Sequence, residues 1–206
     1  MTGGVFALVP VKDPVQGKSR LAELLDAPAR LALNRSLAER TFECCAAAFG
    51  PERTVVVTAA DAIANEASTR GLTVVREGSG GGLNEALALA ARHAMGQGAD
   101  ALVVVPVDLV LLTHAVLRSV VSSVTEAPGC VLVPDRHGVG TNLLGVRPAR
   151  ADLFRFGERS LNEHRRAAAE AGLDVRVHDD PTLALDLDTP EDYRLWRGAG
   201  TSSSNG

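Results

Sequence analysis

Apolar residues along this chain fall into short continuous runs, and between the runs the spacing changes to the three-and-four periodicity of helices. Residues 5–11, 54–58, 73–76, 131–134 and 143–147 are runs of this kind, and residues 100–109 form another that delivers a carboxylate, Asp108, at its exit. Runs that are apolar throughout suit strands covered on both faces, the usual state of parallel strands in α/β sheets. Short strands are also predicted at 175–177 and 183–187, the latter placing Asp186 and Asp188 on one face by period-2 alternation. Helices are predicted at 28–49, 60–70, 83–95 and 160–171, with Asp26 and Pro28 as start signals for the first and Thr113 able to cap another. Thr189-Pro190-Glu191-Asp192 opens a last helix running to about Trp196. The alternation implies parallel βαβ units, so the expected fold class is α/β: one Rossmann-like domain over residues 1–197, a mostly parallel sheet with helices on both faces. Residues 198–206 are rich in Gly and Ser and lack apolar spacing, which predicts a disordered tail.

Composition narrows the partners. A chain of 206 residues with 46% hydrophobic content fills one α/β core and is short for two. A net charge of -4 and 3% aromatic residues provide neither a basic footprint nor stacking platforms, so nucleic acid is not an expected partner. Cys44, Cys45 and Cys130 are odd in number and show no CxxC spacing, which fits reduced thiols and a cytoplasmic protein. No apolar stretch reaches membrane-spanning length and no charged leader precedes residue 5, so neither a membrane partner nor processing is expected. Oligomeric state is not legible.

The chemistry concentrates at predicted strand exits. Open α/β sheets bind ligands beyond the carboxyl ends of their strands, where Asp108 falls. Asp108 with the Asp186/Asp188 pair offers hard oxygen ligands of the kind magnesium takes when it also holds phosphates and water. Lys12, Lys18 and Arg20 follow the first strand and suit phosphate binding at the same rim. Gly17-Lys18-Ser19 is no Walker loop, because Lys12 stands where the first glycine belongs and Pro14 interrupts the amide nest. The glycine cluster from Gly78 to Gly82 follows the third strand and has Leu83 in place of a third fingerprint glycine, which argues against a Rossmann dehydrogenase. The five histidines lack metal spacing, and no GxSxG elbow supports covalent catalysis.

Several segments in this order resemble the guanylyltransferases of deazaflavin coenzyme F-420 biosynthesis. They are Pro10-Val-Lys12 with Lys18-Ser-Arg20-Leu, Gly82-Leu-Asn84-Glu, Pro106-Val-Asp108-Leu, Gly140-Thr-Asn142, Phe156-Gly157 with Ser160 and His164, and Leu185-Asp-Leu-Asp188-Thr-Pro-Glu-Asp192. The resemblance spans about residues 5–196 and implies a nucleotidyltransferase fold of the nucleotide-diphospho-sugar transferase type. It implies GTP and magnesium, with a phosphorylated three-carbon acid as acceptor: phosphoenolpyruvate foremost, or 2-phospho-L-lactate or 3-phosphoglycerate. Carried over, Lys12, Lys18 and Arg20 hold the GTP phosphates, with Lys18, Arg20 and Asp108 as the catalytic set. Gly82 and Asn84 lie near the nucleoside; Thr141, Asn142, Gly157 and Ser160 bind the acceptor; Asp108, Asp186 and Asp188 hold the metal. This chain departs from the family at Val110, where proline is frequent, and at Glu158-Arg159, where Pro-Gly is commoner. The alternatives on residues alone are another nucleotidyltransferase or metal-dependent glycosyltransferase of the same fold, and a non-catalytic GTP-binding module.

Overall fold

The computed structural model describes residues 4–15, 17–78 and 81–201, with backbone alone for 199–201. Seven strands form one sheet: β1 (Gly4–Pro10), β2 (Thr54–Thr58), β3 (Thr73–Arg76), β4 (Ala99–Val104), β5 (Gly129–Pro134), β6 (Thr141–Arg147) and β7 (Val175–Val177). Their spatial order is β3-β2-β1-β4-β6-β5-β7, and β6 alone runs antiparallel to its neighbours. The helices are α1 (Ala27–Phe49), α2 (Asp61–Thr69), α3 (Leu83–Gly96), α4 (His114–Glu126), α5 (Ser160–Glu170), α6 (Pro181–Ala184) and α7 (Pro190–Thr201).

Period-2 alternation divides each central strand between two cores. Ala7 and Val9 of β1 and Ala101 and Val103 of β4 pack with Phe42 of α1, Ile63 of α2 and Leu117 of α4. Phe6 and Leu8, with Leu102 and Val104, pack on the opposite face with Leu87 of α3 and Leu161 and Ala168 of α5. Helices therefore cover both faces, as the unbroken apolar runs require. Helix starts follow their capping residues: Asp26 Oδ1 accepts from the Ala29 amide at 2.8 Å, and Thr113 Oγ1 from the Val116 amide at 3.2 Å, each cap contributing about 1 kcal/mol.

Strand order reverses direction between β1 and β4, which opens a crevice at their carboxyl ends. Three boundaries differ from expectation. β4 stops at Val104, and Asp108 lies in the turn beyond it, because Pro106 has no amide with which to extend the ladder. Residues 183–187 are not a strand. Asp180 accepts from the Thr182 amide at 2.9 Å and Pro181 occupies the first helical position, so the chain turns helical as α6, leaving a single bridge between Asp186 and Leu109. Finally, α7 continues through Gly198 to Thr201, so the expected tail is helical where it begins; residues 202–206 lie outside the described residues. Among the described residues no helix is long and apolar enough to cross a membrane.

Gly145 of β6 lies directly under α4, where an added Cβ would collide with the Val124 Cγ2 methyl. Val124 is buried and branched at Cβ, so it has little freedom to yield. Gly145→Ala is expected to lower unfolding free energy by about 1–3 kcal/mol in denaturant titration; an unchanged midpoint would show that α4 shifts freely.

Candidate active site

Three adjoining cavities occupy the crevice, and Pro10 and Leu83 line all of them. The first, about 450 Å³, is lined by Lys12, Lys18, Asp108 and Asp188. The second, about 230 Å³, is lined by Asp108, Asp186, Thr141, Asn142, Gly157 and Ser160. The third, about 490 Å³, lies over the ends of β2 and β3 and is lined by Lys12, Glu77, Gly78 and Gly81. Asp108 belongs to both the first and the second, and so marks their junction.

The acidic groups reach this junction through short-range pairing and a small apolar cluster. The Leu187 amide donates to the Asp108 carbonyl at 3.0 Å, and the Leu109–Asp186 bridge lies beside it. Beneath them Leu21, Leu37, Val110 and Leu187 pack with Tyr193 and Trp196 of α7, fixing the loop after β1, the Asp108 turn and the 185–188 segment to one another. Asp192 serves this scaffold: its Oδ2 accepts from the amides of Asp188 (3.1 Å) and Thr189 (2.7 Å) and from the Thr189 hydroxyl (2.8 Å). Burial alone would raise the Asp192 carboxyl, but these hydrogen bonds and Arg136, at 2.9 Å, carry it below the ordinary range. The reciprocal Thr189–Asp192 contacts are a capping box with aspartate in the acidic position.

Lys18 adopts a left-handed backbone conformation (φ 57°, ψ 36°) and turns its ammonium between two carboxylates, 2.8 Å from Asp188 and 3.4 Å from Asp108. Only 9% of its side chain is exposed. Burial would depress the ammonium, but Asp108 and Asp188 outweigh it, leaving the Lys18 pKa above its ordinary value and the group charged. Among the described residues Asp186 has no ion-paired cation of this kind. Burial first, and repulsion from Asp108 second, push its carboxyl up to about 6.

The donor set fits a hard divalent cation. Asp108, Asp186 and Asp188 are oxygen ligands whose mutual repulsion such an ion relieves. Among the described residues no three His, Cys, Asp or Glu side chains form a ready metal cage. Asp108, Asp186 and Asp188 thus form no preformed cage in the free protein, and a cation held there would complete its shell with water or phosphate oxygens.

A folded-state pKa above the unfolded value means that ionising Asp186 opposes folding. Its favourable contribution is complete below about pH 4 and is lost as pH rises through about 6. Asp186→Asn is therefore expected to raise the melting temperature of chelator-treated protein near pH 8, by an amount equivalent to about 1 kcal/mol after solvent screening, and not near pH 4. Equal effects at both pH values would contradict the assignment.

The second cavity is built from β6, the segment before α5 and α5 itself. Gly157 has φ 144°, a conformation that favours glycine. The Thr141 amide donates to Ser160 Oγ at 2.9 Å, and Thr141 Oγ1 lies 2.9 Å from His164 Nδ1. Asn142 lines the cavity, but its amide nitrogen is engaged by the carbonyls of Leu183 (2.9 Å) and Ala184 (3.1 Å), leaving only an acceptor oxygen. It ties β6 to α6 and presents only an acceptor oxygen toward the cavity.

Two other expectations change. Asn84 lines none of the three cavities; its side-chain amide donates to the Phe156 carbonyl at 3.0 Å and its oxygen accepts from the Phe156 amide at 2.8 Å. In the structure it fixes the backbone of the loop before α5. Arg20 is exposed and also lines none of these cavities, because the 3-10 turn Ser19–Leu21 buries Leu21 and turns its neighbours outward. Gly82 caps α3, while its neighbours Gly81 and Leu83 line cavity walls. Lys12, Lys18, Asp108, Asp186, Asp188, Thr141, Gly157 and Ser160 all converge on the crevice.

Residues 5–205 match the family described as "Guanylyl transferase CofC like". The chain belongs to this family. A phosphoenolpyruvate guanylyltransferase of Rubrobacter xylanophilus is 38% identical over 196 residues, covering 95% of both chains. A 3-phospho-D-glycerate guanylyltransferase of Colwellia psychrerythraea is 32% identical, covering 91% of this chain and 89% of the relative. Among solved structures, a nucleotidyl transferase from a Methanothermobacter shares the fold with a TM-score of 0.67 at 19% identity, over 98% of this chain and 99% of that one. The guanylyl transferase family and the α/β nucleotidyltransferase fold thus agree with the crevice chemistry.

Proposed function

We propose that this protein transfers GMP from GTP to phosphoenolpyruvate, releasing pyrophosphate, as a step in making the deazaflavin coenzyme F-420. The observation that carries the reading is Asp108 at the junction of a cavity lined by Lys12 and Lys18 and a cavity lined by Thr141 and Ser160. The first accepts a triphosphate beside Lys12 and Lys18, the third receives the nucleoside, and the second receives the acceptor at Thr141, Gly157 and Ser160. The relatives named for phosphoenolpyruvate and 3-phospho-D-glycerate support a phosphorylated three-carbon acid.

An acceptor phosphate oxygen attacks the α-phosphorus of GTP, and the bond to the bridging oxygen of pyrophosphate breaks in line. The nucleophile is anionic at neutral pH, so no strong general base is required; orientation and charge neutralisation supply the rate. Lys18 and Lys12 hold phosphate oxygens, while Thr141 and Ser160 hold the acceptor's anionic groups. Asp108 with Asp186 or Asp188 would hold magnesium, which would supply neutralisation of the charge developing on the phosphates.

Pyrophosphate release measured with GTP, CTP, UTP and ATP against phosphoenolpyruvate, 2-phospho-L-lactate and 3-phosphoglycerate tests the assignment. GTP with phosphoenolpyruvate should give the highest kcat/KM. Preference for another nucleotide would move the protein to a different transferase activity, and GTP binding without turnover would make it a binding module.

A further inference from the structure

We infer that His164 is a positioning residue: as the neutral Nδ1–H tautomer it makes the Thr141 hydroxyl a hydrogen-bond donor to the anionic acceptor. The inference rests on the reading of the second cavity as the acceptor site. His164 is 1% exposed on α5 and lines none of the three cavities, so it acts through Thr141.

The hydrogen-bond directions follow from chemistry. The Arg155 backbone amide, which can only donate, lies 2.9 Å from His164 Nε2. Nε2 therefore presents its lone pair, and in a neutral imidazole the proton is on Nδ1. Nδ1 faces Thr141 Oγ1 at 2.9 Å, so Thr141 accepts there and its own O–H remains available to donate. Ser160 is arranged alike, since its Oγ accepts from the Thr141 amide. Two hydroxyls whose protons remain available to donate thus border the cavity and offer donors to phosphate or carboxylate oxygens, which only accept, on a lining that also carries Asp108, Asp135 and Asp186. Burial, then the positive charge of Arg155, push the His164 pKa down to about 4, consistent with a neutral ring.

His164 also holds the cavity wall. Its ring packs edge-on against Phe156, with centroids 4.7 Å apart, and Asn84 secures the Phe156 backbone from α3 through two hydrogen bonds. The wall and the Thr141 donor are therefore set by the same imidazole.

Two substitutions separate the donor from the acceptor of this ring. Asparagine places an amide near Nδ1 and keeps a donor for Thr141; glutamine reaches the Nε2 position and keeps an acceptor for Arg155. His164→Gln is expected to raise the acceptor KM about tenfold with the GTP KM unchanged, whereas His164→Asn stays within about threefold of wild type. Equal KM values in the two variants, or the reverse order, would overturn the inference. Nitrogen NMR of the intact protein without substrates supplies the independent reading: near neutral pH, Nδ1 should be protonated and Nε2 unprotonated. The opposite tautomer or an imidazolium would overturn it even if a variant fails to fold. Failure of the wild-type enzyme to transfer GMP to any acceptor would instead sink the functional reading, while the NMR result would still decide the tautomer.

Discussion

Asp108→Ala is expected to lower kcat about a thousandfold, roughly 4 kcal/mol of transition-state stabilisation, without lowering the melting temperature. The large effect follows from its position at the junction of two cavities, where the proposed transfer would bring the reacting phosphates together. The unchanged stability follows from what the side chain does in the free protein. Its hydrogen bond is to Lys18 at 3.4 Å, and Lys18 keeps the shorter 2.8 Å contact with Asp188 after the change. The Asp108 carbonyl still accepts from Leu187, because that bond is made by the backbone. Removing the carboxylate also relieves repulsion on Asp186. Steady-state kinetics and thermal melting on one preparation check both statements; a variant retaining more than about a tenth of wild-type kcat would remove Asp108 from the catalytic set.

Lys18→Ala should have a comparable effect by a different route. In the proposed reaction the ammonium would neutralise phosphate charge, and in the free protein it bridges Asp108 and Asp188. Its removal is expected to lower kcat/KM for GTP about 10²–10³-fold, and to destabilise the protein by about 1–3 kcal/mol because the carboxylates lose their cation. Added magnesium should restore much of that stability, since a divalent ion neutralises the same groups. Lys18→Gly provides the backbone control: both variants lose the charge, but glycine also relaxes the left-handed conformation, so it should be more stable than the alanine variant by about 1 kcal/mol. Activity lost equally in both would assign the kinetic effect to charge. A near-wild-type kcat/KM in either would rule out the proposed phosphate role.

Much of the sheet was legible because its signals are local. The valine-rich runs at 54–58 and 73–76 are covered strands, and Asp26, Thr113 and Thr189 mark helix starts through short-range hydrogen bonds. The rim carrying Lys12, Lys18 and Asp108 was also legible, because strand exits in a parallel sheet share one edge. The alternation Leu183-Ala-Leu185-Asp-Leu187 has the pattern of a strand, but the cap at Asp180 and the proline after it start a helical turn that takes in Leu183 and Ala184, and only the Asp186 bridge remains of the strand.

Side-chain roles set by distant contacts were not legible. Asn84 meets Phe156 across 72 positions, and Asn142 reaches Leu183 and Ala184 across 41 and 42. No local spacing encodes such partners, so these ties appear only in the structure. His164 was part of the family pattern and lacked metal spacing. Its role emerges only when Arg155 is seen to donate to one ring nitrogen and Thr141 to face the other.

The central claim is guanylyl transfer across the junction at Asp108, and mass determination of the product formed from GTP and phosphoenolpyruvate with magnesium tests it most directly. The account predicts one new species joining GMP to phosphoenolpyruvate through a diphosphate, formed in equal amount with pyrophosphate. Recovery of unchanged substrates, or of GDP and inorganic phosphate in place of that species, would contradict it.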